Sequence, residues 1–118
     1  MTVVVSYLPS PEGEAALARA AQEVAGNGGS LVVVPSRGAG EKLSDSVARL
    51  TAGGLKVEVV TPEGADVTDA LLEVVRSRSA SLLVIGLRRR SAVGKLILGS
   101  HAQRVLLDAD CPVLAVKP

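Results

Sequence analysis

The feature that most constrains the fold of this chain is a regular alternation of short apolar runs with segments of helical periodicity. Five runs are rich in leucine and β-branched residues: Val3–Val5, Leu31–Val34, Lys56–Val60, Leu82–Ile85 and Val113–Val116. Four segments between them repeat apolar residues every three or four positions, which is typical of amphipathic helices: Leu17–Val24, Leu43–Leu50, Asp66–Val75 and Ser100–Leu107. Strict alternation of strands and helices predicts a parallel sheet covered by helices on both faces, because right-handed crossovers carry each helix over the sheet.

Two of the apolar runs differ in pattern, and the difference helps to order the sheet. Leu82–Ile85 is apolar throughout, as in a strand buried on both faces, whereas Lys56–Val59 alternates charged and apolar residues, as in an edge strand. We place the first strand at the centre, which predicts the order 3-2-1-4-5. Residues 1–118 are then expected to form a single doubly wound α/β domain with one core.

Composition argues against several functions. The 13 lysines and arginines nearly balance the 12 acidic residues, so no overall field favours nucleic acid or an anionic membrane. Tyr7 is the one aromatic residue, which leaves almost no stacking surface for bases. No apolar run approaches the roughly 18 residues of a spanning helix. The lone Cys111, which we expect to be buried and inert, and the lack of metal-ligand spacing indicate a metal-free cytoplasmic protein.

The loop between the fourth strand and the fourth helix is the first candidate site. It runs from Gly86 to Ser100 and contains three consecutive arginines beside a helix N-terminus, where backbone amides bind phosphates. In open parallel sheets ligands bind where the strand order reverses, which here predicts a crevice walled by this loop and by Ser6–Ser10. Two structural alternatives are that the arginines only solvate a loop, and that Ser100 caps the helix while Gly99 allows the turn.

No arrangement of residues indicates a dedicated enzyme. Gly94-Lys95 lacks the upstream glycine and the following hydroxyl residue of a phosphate-binding Walker loop. We interpret His101 as a lone, partly exposed histidine, because no nucleophile or carboxylate is visibly arranged with it. Acidic residues at helix starts, such as Glu12 and Asp66, are explained by the helix dipole. At most, slow incidental hydrolysis of a bound nucleotide is expected.

Three segments resemble the universal stress protein family, and the resemblance extends over the whole chain. Pro11–Leu17 is similar to the start of the family's first helix, Leu82–Gly86 to its fourth strand, and Cys111–Val116 to its final strand. The resemblance implies the five-strand α/β fold described above. It also implies a stress-response protein and, for the nucleotide-binding branch, an ATP site after the fourth strand.

The nucleotide motif of that branch is matched in part. Gly86, Gly99 and Ser100 match the motif, Arg89 replaces its second glycine, and Leu8 stands where the branch has an aspartate near the nucleoside. The residue lining the adenine pocket falls at Pro35 or Ser36 by the same comparison. Together with the crevice, the resemblance predicts binding of ATP with Mg²⁺, or of a related anionic nucleotide. The predicted site residues are Gly86, Arg88, Arg89, Gly99, Ser100, Ser36 and Ser6.

The last strand is expected at a sheet edge, where unpaired amides and carbonyls need cover. Family members often pair through this edge, so the resemblance implies a homodimer buried around Val113, Leu114 and Val116. An unknown protein partner is also expected. Two alternatives to nucleotide binding stay open: a protein-interaction module that lost the nucleotide, as Leu8 and Arg89 suggest, and a small-anion site built on the arginines.

Overall fold

The computed structural model describes residues 1–36, 38–64, 66–89, 96–97 and 99–118, with the backbone alone at 89 and 96–97. In this part of the chain, strands and helices alternate as the sequence predicts. The main strands are β1 (Thr2–Tyr7), β2 (Ser30–Pro35), β3 (Lys56–Val59), β4 (Leu82–Gly86) and β7 (Val113–Val116). The helices are α1 (Pro11–Asn27), α2 (Gly40–Ala52), α3 (Val67–Ser77) and α4 (Ser100–Asp108).

The main strands form a five-stranded parallel sheet among the described residues, in the order β3-β2-β1-β4-β7. This confirms the predicted order, since β7 is the fifth of the predicted strands. β1 is central: Val3 lies opposite Leu31 on one side and Leu82 on the other. The strand order reverses between β1 and β4, which places a crevice at their carboxyl ends.

A short antiparallel pair follows β4 and was not predicted. Arg88–Arg89 forms β5 and Leu96–Ile97 forms β6, with Arg88 opposite Ile97 and Arg89 opposite Leu96. Two-residue strands carry too little periodicity to be read from sequence. The pair gives a regular backbone to the start and end of the loop that leads to α4.

The core has two layers, because neighbouring residues of a strand point to opposite faces of the sheet. On one face Val3 and Val5 pack with Leu17 of α1, and on the other Val4 packs with Leu71 of α3. Tyr7, the sole aromatic residue, is fully buried in the first layer. Aliphatic side chains from the strands and from the helices therefore supply most of the core, as the composition predicts.

Two helix ends follow local sequence rules. Asp66 caps α3, since its carboxylate accepts hydrogen bonds from the amides of Thr68 and Asp69. Helix α1 ends before Gly28, whose positive φ of 73° suits glycine. No helix in the described ranges has the length and apolar character needed to cross a bilayer.

The two sheet edges differ in charge. β3 exposes Lys56 and Glu58, and Glu58 pairs with Arg78 at 2.8 Å. β7 has no charged residue, and Val113, Leu114 and Val116 are half-buried along it. Charged side chains protect the first edge against pairing with another chain, whereas the second edge lacks that protection.

Candidate nucleotide site

A cavity of about 510 Å³ lies at the carboxyl ends of β1 and β4, at the reversal of the strand order. Its volume is within the usual range of small-molecule sites. The residues that line it come from the ends of three strands and the starts of three helices. They are Ser6, Leu8, Glu12, Ser36, Val67, Gly86, Leu87, Arg88, Gly99, Ser100, His101 and Ala102.

The structure brings nearly all of the predicted site residues to this one cavity. Those lining it are Ser6, Ser36, Gly86, Arg88, Gly99 and Ser100. The backbone of Arg89 lies in β5, but its side chain is outside the described part of the structure, as is the whole of Arg90. Leu8, which stands where the sequence comparison expects an aspartate, also lines the cavity. An apolar side chain therefore occupies that part of the wall.

The start of α4 forms part of the cavity wall. Gly99 is the N-cap residue, and neither a capping side chain nor an acidic residue of the first turn is present there among the described residues. The interpretation of Ser100 as the helix cap is therefore wrong, because Ser100 is already the first helical residue. The first amides of an α-helix have no partner within the helix, and together with the dipole they attract anions.

Glu12 is the site residue that sequence reasoning missed. It lies in the first turn of α1, and its carboxylate oxygen Oε1 is 3.5 Å from Nε of Arg88. The Glu12 side chain is only 13% exposed, compared with 60% for Arg88. A helix dipole explains an acidic residue at this position, so its sequence context did not point to a ligand. Its place two residues after Ser10, where the predicted crevice wall ends, was the available signal.

Close backbone packing holds Glu12 at the cavity. A Cβ atom built on Gly86 would collide with the backbone carbonyl oxygen of Glu12. Likewise, a Cβ atom on Gly13 would collide with the backbone of Leu8. The first turn of α1 is thus pressed against the ends of β1 and β4, which leaves its backbone little room to withdraw from the site.

His101 is not as isolated as its sequence context suggested. It lines the cavity from the first turn of α4, and its Nδ1 lies 2.5 Å from Oγ1 of Thr68 in α3. Burial lowers the pKa of His101, with Asp66 and Arg104 making smaller and opposing contributions. The imidazole is therefore favoured in its neutral form, and it ties the start of α4 to the start of α3.

A second cavity, of about 650 Å³, adjoins the first at Ser36. It lies beyond β2 and β3 and is lined mainly by small and apolar residues, including Pro35, Ala39 and Leu43. Pro35 and Ser36 are the positions at which the sequence comparison expects the base. The two cavities together offer a polar region, which contains Glu12, Arg88 and the start of α4, and an apolar region near α2.

The described residues provide no group of three or more histidine, cysteine, aspartate or glutamate side chains placed to hold a metal ion. Cys111 is half-buried, which corrects the expectation that it is fully buried. Burial, with a smaller contribution from Asp110, raises the pKa of the Cys111 thiol. The thiol form is favoured, in agreement with the expected low reactivity.

Comparison with known proteins identifies the family. Residues 35–117 match the family model described as "Universal stress protein family". This chain belongs to the universal stress protein family. A universal stress protein from Mycolicibacterium smegmatis is 40% identical over 127 aligned residues, which cover 98% of this chain and 97% of the relative. The family resemblance inferred from the sequence is thereby confirmed.

Two solved universal stress protein structures are similar over nearly the full chain. One, from Archaeoglobus fulgidus in complex with dAMP, has 27% identity and a TM-score of 0.79, covering 99% of this chain and 98% of that chain. Another, in complex with cAMP, has 28% identity and a TM-score of 0.77, covering 99% and 96%. Universal stress proteins similar to this one thus include proteins captured with adenine nucleotides.

Proposed function

We propose that this universal stress protein binds an anionic adenine nucleotide in the cavity at the ends of β1 and β4. The observation that carries the proposal is the open start of α4, which faces a cavity of about 510 Å³ without a capping side chain or acidic residue among the described residues. Such a helix start is suited to a phosphate. The structures of relatives with dAMP and cAMP support an adenine nucleotide as the ligand.

The proposed roles follow from position. Backbone amides at Ser100 and beyond bind a phosphate, with Gly99 allowing close approach, and Arg88 supplies the charge on the opposite side. Gly86 lets the end of β4 pack closely against the backbone of Glu12. Ser6 and Ser36 line the part of the cavity that would hold the nucleoside. Arg89 is included on its sequence position alone. ATP with Mg²⁺ is one candidate ligand, and nucleotides with fewer phosphates are others.

The proposed activity is binding and signalling rather than catalysis. His101 is hydrogen-bonded to Thr68, and burial lowers its pKa and so favours its neutral form. Within the described lining, the one carboxylate, Glu12, is paired with Arg88. Among these described lining residues, no general base is placed to activate a nucleophile. Any hydrolysis of a bound nucleotide would therefore be slow. The surface that changes on nucleotide binding would then be read by a protein partner in the cytoplasm.

A protein-interaction module of the same fold is the second candidate. It is favoured by Leu8, whose apolar side chain lines the cavity where a nucleoside contact was expected, and by the neutralising Glu12–Arg88 pair. A site for a small anion at α4 alone is the third candidate. Nucleotide binding distinguishes the first from the second, and a comparison of AMP with inorganic phosphate distinguishes the first from the third.

The test is calorimetric titration of the protein with AMP, ATP with Mg²⁺, and inorganic phosphate. Gly99→Asp places a carboxylate at the cap of α4, where it would occupy the free amides and repel a phosphate. We expect it to weaken AMP binding by at least about tenfold while the protein stays folded. Ser81→Asp adds the same charge at the opposite end of β4 and is the control. No binding by the parent protein would favour the interaction module.

We also propose that residues 1–118 form one domain that dimerises through β7. Val113, Leu114 and Val116 are half-buried on an edge strand without charges, and a second copy would complete their burial. Leu114→Lys introduces a charge into this contact. Light scattering on dilution should then show a monomer where the parent is a dimer, and an unchanged dimer would refute the proposed interface.

A further inference from the structure

Among the described residues that line the cavity, the charges nearly cancel. Arg88 and Glu12 are the oppositely charged residues in its described lining, and they pair with each other. His101 also lines the cavity but is favoured in its neutral form. A site built only to attract charge would leave its arginine unpaired. Arg88, the arginine of the described lining, already has an anionic partner inside the protein.

The two partners differ in their freedom to move. Arg88 is 60% exposed on a two-residue strand, so its guanidinium can turn toward a ligand at small cost. Glu12 is 13% exposed in the first turn of α1, and its backbone abuts Gly86. When a ligand binds, Arg88 can follow the ligand, while the carboxylate of Glu12 stays at the cavity wall.

A fixed carboxylate affects ligands according to their charge. A single phosphate can be bound at the start of α4 and by Arg88, and the helix amides compensate for the nearby acid. Each further phosphate adds negative charge to a cavity whose arginine is already partly neutralised. Repulsive groups placed against the wrong ligand are a common source of specificity.

We propose that Glu12 is a specificity-determining residue that limits ligand charge, so that the cavity prefers adenine nucleotides with one phosphate over ATP. This inference rests on the nucleotide site proposed above and names the ligand class of that site. It also gives Arg88 a second role as the mobile partner of the acid. The pair Arg19–Glu23, at the other end of the same helix, is 3.0 Å apart and outside the cavity lining, which makes it a matched comparison.

The experiment measures dissociation constants for AMP and ATP, each with EDTA and with Mg²⁺, at one ionic strength. The parent should bind AMP more tightly than ATP under both conditions. Glu12→Gln keeps the size of the side chain and removes its charge, and it should lower the ratio of the ATP constant to the AMP constant by about tenfold. Glu23→Gln removes the same charge from α1 and should leave the ratio unchanged.

The outcomes separate the two proposals. If neither the parent nor Glu12→Gln binds any nucleotide, the nucleotide site is wrong and the inference falls with it. If AMP binds but the ratio is the same in the parent and in Glu12→Gln, only the role of Glu12 is overturned. Weaker binding of ATP with Mg²⁺ in Glu12→Gln would instead make Glu12 a metal ligand and would also overturn it. A parent that prefers ATP refutes the inference without any variant.

Discussion

The two helix starts that face each other across the cavity, at α1 and α4, are completed in opposite ways. At α1, Ser10 accepts a hydrogen bond from the amide of Gly13, and Glu12 and Glu14 lie in the first turn. At α4, Gly99 provides no capping side chain, and the described first turn has no acidic residue. The start of α1 is completed by side chains of its own segment, whereas the start of α4 has no side-chain cap among the described residues.

The contrast extends to packing. The α1 side is so tight that Cβ atoms at Gly13 or Gly86 would overlap neighbouring backbone, whereas no described atom lies within 4 Å of a Cβ atom at Gly99. Tyr7 at the end of β1 also donates a hydrogen bond to the carboxylate of Glu14, so this acidic residue of α1 is bound to the chain itself. The α1 side of the site is therefore tightly packed, whereas the α4 side has room at Gly99 for a larger residue.

The strongest test of this contrast compares alanine at the two glycines. Gly86→Ala should lower the free energy of unfolding by about 2–3 kcal/mol, because its Cβ atom would meet the carbonyl oxygen of Glu12. Gly99→Ala should change it by less than about 1 kcal/mol, since its φ of −72° suits any residue and the space is open. Denaturant unfolding measures both. Similar losses for the two variants would contradict the difference in packing.

A smaller effect is expected from the hydroxyl of Tyr7. Tyr7→Phe removes the donor to Glu14 and should cost about 1–2 kcal/mol of unfolding free energy at pH 7. Burial, followed by the contact with Glu14, raises the pKa of Tyr7 to about 12. The folded state thus holds this proton more tightly than the unfolded state does. The stabilisation is complete below about pH 10 and is lost as the pH rises toward 12.

Comparison of parent and Tyr7→Phe isolates that dependence, because Tyr7 is the only tyrosine in the chain. The difference in stability between the two proteins should shrink across this alkaline range. A constant difference from pH 8 to pH 12 would mean that the hydroxyl is not buried against Glu14.

The smallest expected effect concerns His101 on the α4 side. Because burial lowers its pKa, the unfolded state binds a proton that the folded state resists. The associated stability is present above about pH 6.5 and declines as the pH falls through the lower folded pKa. Thermal unfolding of parent and His101→Gln between pH 7.5 and 5 measures it. If the stabilities of the two proteins changed equally with pH, the burial of His101 at the start of α4 would not affect stability.

Sequence patterns predicted the frame of the site well because they reflect local physics. The continuous apolar runs predicted the buried strands, the alternating Lys56–Val59 predicted an edge strand, and Asp66 was placed at the start of a helix, which is α3. The described ends of the predicted loop, 86–88 and 99–100, line the same cavity as residues from the end of β1. These features depend on burial and on backbone geometry within a few residues, so periodicity records them.

The contents of the site were harder to predict because they depend on contacts between distant segments. Glu12 was explained by its helix dipole, yet it meets Arg88 across the cavity. His101 was interpreted as isolated, yet it forms a hydrogen bond with Thr68 of another helix. Each pair joins residues that are far apart in the chain, and no local spacing encodes such a meeting.

The amino-acid sequence by itself thus determined the parallel sheet, its strand order and the position of the crevice at the carboxyl ends of β1 and β4. Strand and helix periodicity and right-handed crossovers leave few other ways to arrange these elements. Only the tertiary structure decided that Glu12 pairs with Arg88 and that α4 begins without a side-chain cap from the described residues. Those features depend on distances of a few ångströms between separate elements, which packing sets after the order of the strands is fixed.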